Sequence, residues 1–81
     1  MLKEMRKKKG LTQKELGEKI RKHKSYISRL ENSQLINVSI EIIIKLAQEL
    51  DADKTEIFLF FANAYIKKIE TIEKEQNNIL S

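Results

Sequence analysis

The sequence predicts an all-α domain of five helices, the last of them extended. The 81 residues include no proline and only two glycines, Gly10 and Gly17, whereas strands and their turns usually require more of both. Apolar residues make up 41% of the chain and recur at spacings of three and four, which is typical of helices that pack on one side. A chain of this length forms one small domain rather than two.

Composition excludes several classes of protein. The chain has no cysteine, so it can form neither a disulfide framework nor a thiolate metal site. Residues 1–9 are charged with no apolar stretch behind them, unlike a signal peptide. No apolar run approaches the roughly 20 residues that a membrane span needs. We therefore expect a soluble cytoplasmic protein that has no membrane partner.

Charge is distributed unevenly along the chain. Residues 1–30 hold eleven Lys and Arg against three Glu, a net charge of +8, while residues 31–81 hold five Lys against nine Asp and Glu, a net charge of −4. The basic part predicts a polyanionic partner. An acidic membrane surface would also fit, but the basic residues lie on several short segments rather than on one long amphipathic helix.

The first two helices are delimited by local signals. Residues 1–9 form the first, with Leu2 and Met5 inward, and Gly10 ends it in a left-handed conformation. Thr12 and Glu15 have the spacing of a capping box, which opens a second helix that runs to about residue 20. Gly17 costs about 1 kcal/mol relative to alanine inside that helix, and we expect it to allow a neighbouring helix to approach closely.

The third helix spans residues 24–31, after a tight polar turn at residues 21–23. Ile27 and Leu30, three apart, lie on one face and anchor it. The outward side carries cationic and hydroxyl side chains, namely Lys24, Ser25, Ser28 and Arg29. Such a face suits a groove lined by phosphates and base edges, although an ordinary solvated face has the same pattern.

A loop at residues 33–38 precedes the fourth helix, which Ser39 caps and which ends near Leu50. Its apolar stripe predicts an inward face at Ile40, Ile43, Leu46, Ala47 and Leu50.

The fifth helix begins after Asp53 as N-cap and runs from Thr55 to about residue 78. Its length of about 36 Å exceeds the width of so small a domain. Apolar residues recur every seven positions at Phe58, Tyr65, Ile72 and Ile79. Either the helix folds back or frays at residues 73–78, or it pairs with a second copy. The pairing predicts a dimer interface at Phe58, Phe61, Ala62, Tyr65, Ile69 and Ile72.

Residues 11–16 and 25–32, at their spacing, resemble the Cro/Xre-type helix-turn-helix transcriptional regulators, the family of the phage repressors. The likeness continues through residues 40–50 and covers about residues 1–60. It implies a lambda-repressor-like fold that binds double-stranded DNA. The chain departs from the family pattern at Arg21 and Lys22, where a glycine and a small apolar residue are usual, and at Ser33, which is often glycine. A left-handed Arg21 would cost about 1 kcal/mol.

The resemblance implies roles for individual residues. It places Lys24, Ser25 and Arg29 against base edges, and Arg and Lys can donate to guanine O6 and N7. Arg29 could instead contact a phosphate or pair with a nearby glutamate. Gln13, at a helix N-terminus, matches a phosphate clamp of the family. Arg6 and Glu31 match a structural ion pair. The expected DNA-backbone contacts are Thr12, Gln13, His23, Tyr26, Ser28, Asn32, Gln34 and Asn37.

No catalytic or metal site is predicted. His23 is the only histidine, and no second metal ligand lies at a suitable spacing. Ser25 and Ser28 have no adjacent base in the sequence, and no glycine-rich phosphate loop occurs. We expect neither enzymatic activity nor a cofactor.

The sequence therefore predicts a nucleoid-associated homodimeric repressor that reads a palindromic operator. Residues 1–54 form its DNA-binding part and residues 55–81 its dimerisation helix. The alternative is a protein-interaction module, such as an antitoxin or a co-regulator, that binds a regulatory protein partner through the C-terminal helix.

Overall fold

Five α-helices make up the computed structural model, which describes residues 1–34 and 37–80, with the backbone alone for residues 76–80. They are α1 (Leu2–Lys8), α2 (Gln13–Lys19), α3 (Lys24–Glu31), α4 (Ile40–Leu50) and α5 (Lys54–Leu80). The predicted all-α, five-helix fold is confirmed. Leu35 and Ile36 of the predicted loop lie outside the described residues, as does the side chain of Ile79.

Local capping groups set the helix ends as predicted. Gly10 has φ 71° and follows α1. The Thr12 hydroxyl accepts the backbone N–H of Glu15 at 3.0 Å, and the Glu15 carboxylate accepts that of Thr12 at 3.0 Å. The hydrogen bond from the Thr12 backbone N–H to the carboxylate lowers the pKa of Glu15 below its ordinary value of 4.5. The capping box therefore stabilises α2 above that pH and weakens on acidification below it. Ser39 and Asp53 accept helix N–H groups in the same way.

Gly17 permits a close approach, but not by the neighbouring helix that the sequence led us to expect. A Cβ placed on Gly17 would lie 2.5 Å from the backbone oxygen of Lys22, and the Gly17 carbonyl accepts the N–H of Lys22 at 2.8 Å. The turn between α2 and α3 therefore folds back onto α2 itself. A side chain at residue 17 would therefore displace this turn, which leads into α3.

Two non-glycine residues adopt a left-handed backbone at the positions where the sequence departs from the family pattern. Arg21 has φ 59° and Ser33 has φ 58°. Side chains with a Cβ are strained in this region by about 1–2 kcal/mol. Arg21 is exposed, so nothing around its side chain offsets that strain by burial.

Replacing Arg21 with glycine is expected to stabilise the fold by about 0.5–1 kcal/mol, because relief of the strained φ exceeds the added freedom of the unfolded chain. The melting temperature should rise by a few degrees. Arg21→Ala is the matched control, since it removes the same charge and keeps the Cβ. Equal melting temperatures for the two variants would show that the backbone at residue 21 is not strained.

The core gathers apolar side chains from all five helices, and its most deeply buried members are Leu16, Ile20, Ile27, Leu30, Leu46 and Ile57. The predicted inward face of α4 was wrong at one residue. Ile40 is 68% exposed, whereas Ile42 is buried. Ile40 begins the helix at the edge of the apolar stripe, and the core lies toward the side of Ile42. Ile44, on the same side as Ile40, is also exposed.

Helix α5 extends beyond the rest of the domain. It is 27 residues long, about 40 Å at 1.5 Å per residue, in a molecule of 50 × 24 × 20 Å. Only its first turns join the core, through Ile57 and Phe61. The helix continues through residues 73–78 without folding back. Phe61, expected at a dimer interface, is 3% exposed and packs edge-on against Phe60, so it belongs to the core of the domain.

Candidate nucleic-acid interface

Helix α3 presents a polar, cationic outer face from a firmly anchored position. Ile27 and Leu30 are buried, while Lys24, Ser25 and Arg29 are exposed. These three side chains are the ones to which the sequence assigned base contacts. Lys24 and Ser25 lie on the first turn of α3, where the backbone N–H groups also favour an anion. Arg29 lies in the last turn of this short helix.

His23 caps α3, a role that the sequence analysis missed. Its ring nitrogen Nδ1 accepts the backbone N–H of Ser25 at 3.1 Å and lies 3.0 Å from the Ser25 hydroxyl. Histidine is not among the common N-cap residues, so composition gave no signal for it. The cap orders Ser25 at the start of the outward face.

A buried ion pair ties α3 to α1. The Arg6 Nε donates to Glu31 at 2.6 Å and a second guanidinium nitrogen donates to the same carboxylate at 3.2 Å. Arg6 also donates to the carbonyl oxygen of Leu11 at 2.8 Å. The two charged side chains are only 8% and 4% exposed. Their charges are therefore compensated by each other and by hydrogen bonds rather than by water.

The same carboxylate also holds Gln13. The Gln13 amide nitrogen donates to Glu31 at 3.2 Å, and the side chain is half-buried. Its amide carries a second hydrogen that can still donate to a phosphate. Gln13 is thus positioned at the N-terminus of α2 by the ion pair that braces α3.

A basic groove of about 350 Å³ lies beside the start of α3, lined by Lys14, Glu18, Lys22, His23 and Lys24. The ammonium group of Lys22 lies 5.1 Å from the ring centre of Tyr26. Tyr26 packs partly against the core, and this burial raises the pKa of its phenol, so the hydroxyl remains a donor. Lys14 and Lys22 were not predicted to contact DNA. Their position with Lys24 around the N-termini of α2 and α3 is the signal in the sequence that could have indicated them.

The remaining predicted backbone contacts are dispersed. The Thr12 hydroxyl is used in the capping box. The Asn32 amide nitrogen lies 3.4 Å from the Ser28 hydroxyl, near the other end of α3. Asn37 is exposed, and Gln34 borders a separate groove against α5. The structure thus places His23 and Tyr26 at the N-terminal end of α3 and Gln13 at its C-terminal end, against Glu31, and leaves the other residues dispersed.

Residues 1–34 and 37–80 contain no group of three or more His, Asp or Glu side chains that could hold a metal ion. Across the same residues, no helix combines the length and apolar character required to cross a membrane.

Comparison with known proteins gives one positive result. A helix-turn-helix family model matches residues 2–57, which include α1 to α4 and the first turn of α5. Comparisons with curated proteins and with solved structures gave no match. The match contains α2, the turn and α3, which carry the cationic face.

Proposed function

Because the chain belongs to the Cro/Xre-type helix-turn-helix family of DNA-binding regulators, we propose that it is a homodimeric repressor that reads a palindromic operator. The observation that carries the proposal is the exposed cationic edge of α3, held by Ile27, Leu30 and the Arg6–Glu31 pair. Residues 1–54 would bind DNA and residues 55–81 would join two copies. The protein would act at the nucleoid, in the cytoplasm.

The roles of the DNA-facing side chains follow from their chemistry and position. Lys24, Ser25 and Arg29 would enter the major groove and donate to base edges. Gln13 and Tyr26 would donate to phosphates on either side. We add Lys14 and Lys22 to these backbone contacts, because they line the basic groove next to Lys24. Phosphate contacts fix the register of α3 on the duplex, and base contacts supply the sequence preference.

Dimerisation would be supplied by the exposed apolar residues of α5. Phe58, Tyr65, Ile69 and Ile72 are exposed large hydrophobic side chains, and Ala62 lies between them. Two copies joined there would present two α3 helices, and a palindromic site needs them about 34 Å apart. Repression would follow from occupation of a promoter.

The same exposed residues favour a second candidate function. An apolar helix that extends beyond its own domain could bind a different protein, as in an antitoxin or a co-regulator. That function would not require the cationic side chains on α3. The two candidates therefore differ in whether the protein binds DNA by itself.

Binding to a random duplex at low salt, followed by selection of bound sites, tests the proposal. We expect a gel shift that weakens steeply with salt, because phosphate contacts release counterions. The selected sites should show two inverted half-sites about one helical turn apart. Absence of a shift at low salt would contradict DNA binding and leave the interaction module as the better explanation.

Replacing Arg29 with alanine is expected to weaken binding to the selected site by about 1–3 kcal/mol and to relax the preference at one base pair, because a base-edge contact is lost. Lys14→Ala is the matched comparison, since it should weaken binding to all duplexes alike and lower the salt dependence by about one phosphate contact. The measurement is a titration of matched and single-substituted sites at two salt concentrations. An Arg29 variant that weakens all sequences equally would reassign Arg29 to the backbone.

A further inference from the structure

The exposed apolar surface of the protein continues from α5 onto α4. Ile40 and Ile44 of α4 are exposed large hydrophobic residues next to Phe58 of α5, and these side chains border a groove of about 400 Å³ with Lys54 and Thr55. The α5 residues that would pair two copies lie on one side of that helix, at alternating spacings of four and three. The groove lies at the end of α5 that is attached to the domain. The exposed residues Ile69 and Ile72 lie toward the other end of the helix.

We propose that two copies associate with their α5 helices antiparallel, so that the far end of each α5 lies in the α4–α5 groove of the other copy. This inference deepens the homodimer of the proposed function and depends on it. The occupant of the groove is thereby a second copy of this chain, contributed through Ile72 and Glu75.

Side-chain volumes match across an antiparallel pair of α5 helices. In this antiparallel register, inward residues whose numbers sum to 127 face each other across the seam, the line of contact between the two α5 helices. Residues that flank the seam pair at sums of 125 on one side and 129 on the other. This register places Thr55 against Ile72, Phe58 against Ile69 and Ala62 against Tyr65, each pair occurring twice. A small side chain then faces a large one in the central layers, as close packing requires.

The flanks of the seam give a second argument. On one side the register places Leu59 opposite Ile66 of the second copy, and both are exposed in the single chain. On the other side it places Lys54 opposite Glu75, both also exposed, so the charges are opposite at each end of the seam. These two kinds of flanking pair are complementary, because Leu59 meets another apolar residue and Lys54 meets an anion.

The parallel arrangement fits the same residues less well. Each side chain of a parallel pair meets its own copy, so Tyr65 would face Tyr65 and Ala62 would face Ala62, giving crowded and empty layers in succession. Leu59 of one copy would lie beside Lys54 of the other. Lys68 could still pair with Glu73, but Ile40 and Ile44 would not be covered by the far end of the second α5.

The groove supplies the third argument. Thr55 lines it, and the register places Ile72 of the second copy opposite Thr55. Ile72 would therefore enter the groove between Ile40, Ile44 and Phe58, and Glu75 would follow one turn later at Lys54, on the groove's edge. The exposure of Ile40 on α4, which the core does not explain, is then explained by the dimer.

Disulfide cross-linking tests the arrangement, because the natural chain has no cysteine. The variant Lys54→Cys/Glu75→Cys should form a covalent dimer on mild oxidation if α5 pairs antiparallel. Within one chain the two positions are about 30 Å apart along the helix, too far for an intrachain bond. The single variant Ile72→Cys should remain uncrosslinked, since residue 72 would face residue 55 and not its own copy.

The outcomes separate the arrangement from the dimer itself. Mass in solution, measured for the unaltered chain by light scattering, reports the homodimer. A dimer whose Ile72→Cys variant cross-links while the double variant does not would overturn the antiparallel arrangement and preserve the proposed function. A monomer at all concentrations would overturn both the arrangement and the homodimer, and the gel shift would still report DNA binding.

Charge exchange provides a second test that requires no oxidation. Lys54→Glu and Glu75→Lys, made singly, should each weaken the dimer several-fold because like charges then face each other at both ends of the seam. Combined in one chain, they should restore its affinity. Failure of the double variant to recover, with both single variants weakened, would show that the two residues do not face each other.

Discussion

The variant Arg6→Ala is expected to lose about 3–5 kcal/mol of its free energy of unfolding, because Glu31 would be left as a buried charge without its partner. The side chain of Glu31 is 4% exposed, so water cannot replace the guanidinium. In a domain of this size, 1 kcal/mol corresponds to about 4–8 °C in melting temperature. We therefore expect a fall of more than about 10 °C, measured at one fixed protein concentration because dimerisation also affects stability.

Two controls identify the origin of that loss. Lys7→Ala removes a neighbouring exposed cation of α1 and should change the melting temperature little. The variant Arg6→Met/Glu31→Leu removes both charges and should recover much of the stability, since no unpaired charge remains. The sequence preference of Arg6→Ala should match that of the unaltered protein. A loss of DNA affinity at an unchanged melting temperature would refute the structural role.

The variant Ile69→Glu is expected to separate the proposed homodimer and to lower affinity for the palindromic site by about 10²–10⁴-fold, because the second half-site would no longer be bound intramolecularly. Ile69 is exposed and lies in the middle of the apolar residues of α5. A carboxylate there would have to be desolvated at the interface. The readouts are mass in solution and titration of a full site against a half-site.

The matched control for Ile69→Glu is Thr71→Glu, two residues further on and on the opposite side of α5. Thr71 is exposed and its hydroxyl donates to the backbone oxygen of Lys67, so the variant adds the same charge to the same helix away from the seam. It should remain a dimer with nearly unchanged operator affinity. If Ile69→Glu also stays dimeric, α5 does not join the two copies.

Local signals predicted the fold well because their physical causes are local. The capping box at Thr12 and Glu15, and the left-handed Gly10, involve residues within a few positions of each other. Gly17 was predicted to lie at a close contact, but the approaching group is a turn carbonyl only five residues away. Nothing in the spacing of residues distinguishes a helix from a turn as the neighbour.

Features that depend on the orientation of a helix or side chain in the tertiary structure were predicted less well. The exposure of Ile40 and the burial of Ile42 depend on the rotation of α4 about its axis, which an isoleucine-rich segment does not specify. The segment at residues 57–62 is apolar on nearly every side, so its pattern could not separate Phe61, which faces the core, from Phe58, which is exposed. The cap by His23 was not predicted, because histidine is an uncommon N-cap residue and its ring must take one particular orientation to accept the N–H of Ser25.

The meeting of three helices at the Glu31 carboxylate has a consequence for the DNA. Arg6 holds α1 and Gln13 holds α2 to this one group on α3, so the surface that faces a half-site would move as one stiff piece. If the distance between two such surfaces differed from the distance between the two half-sites of an operator, the duplex would have to bend or twist to fit. We expect the base pairs between the half-sites to influence affinity through their flexibility, although no side chain reaches them.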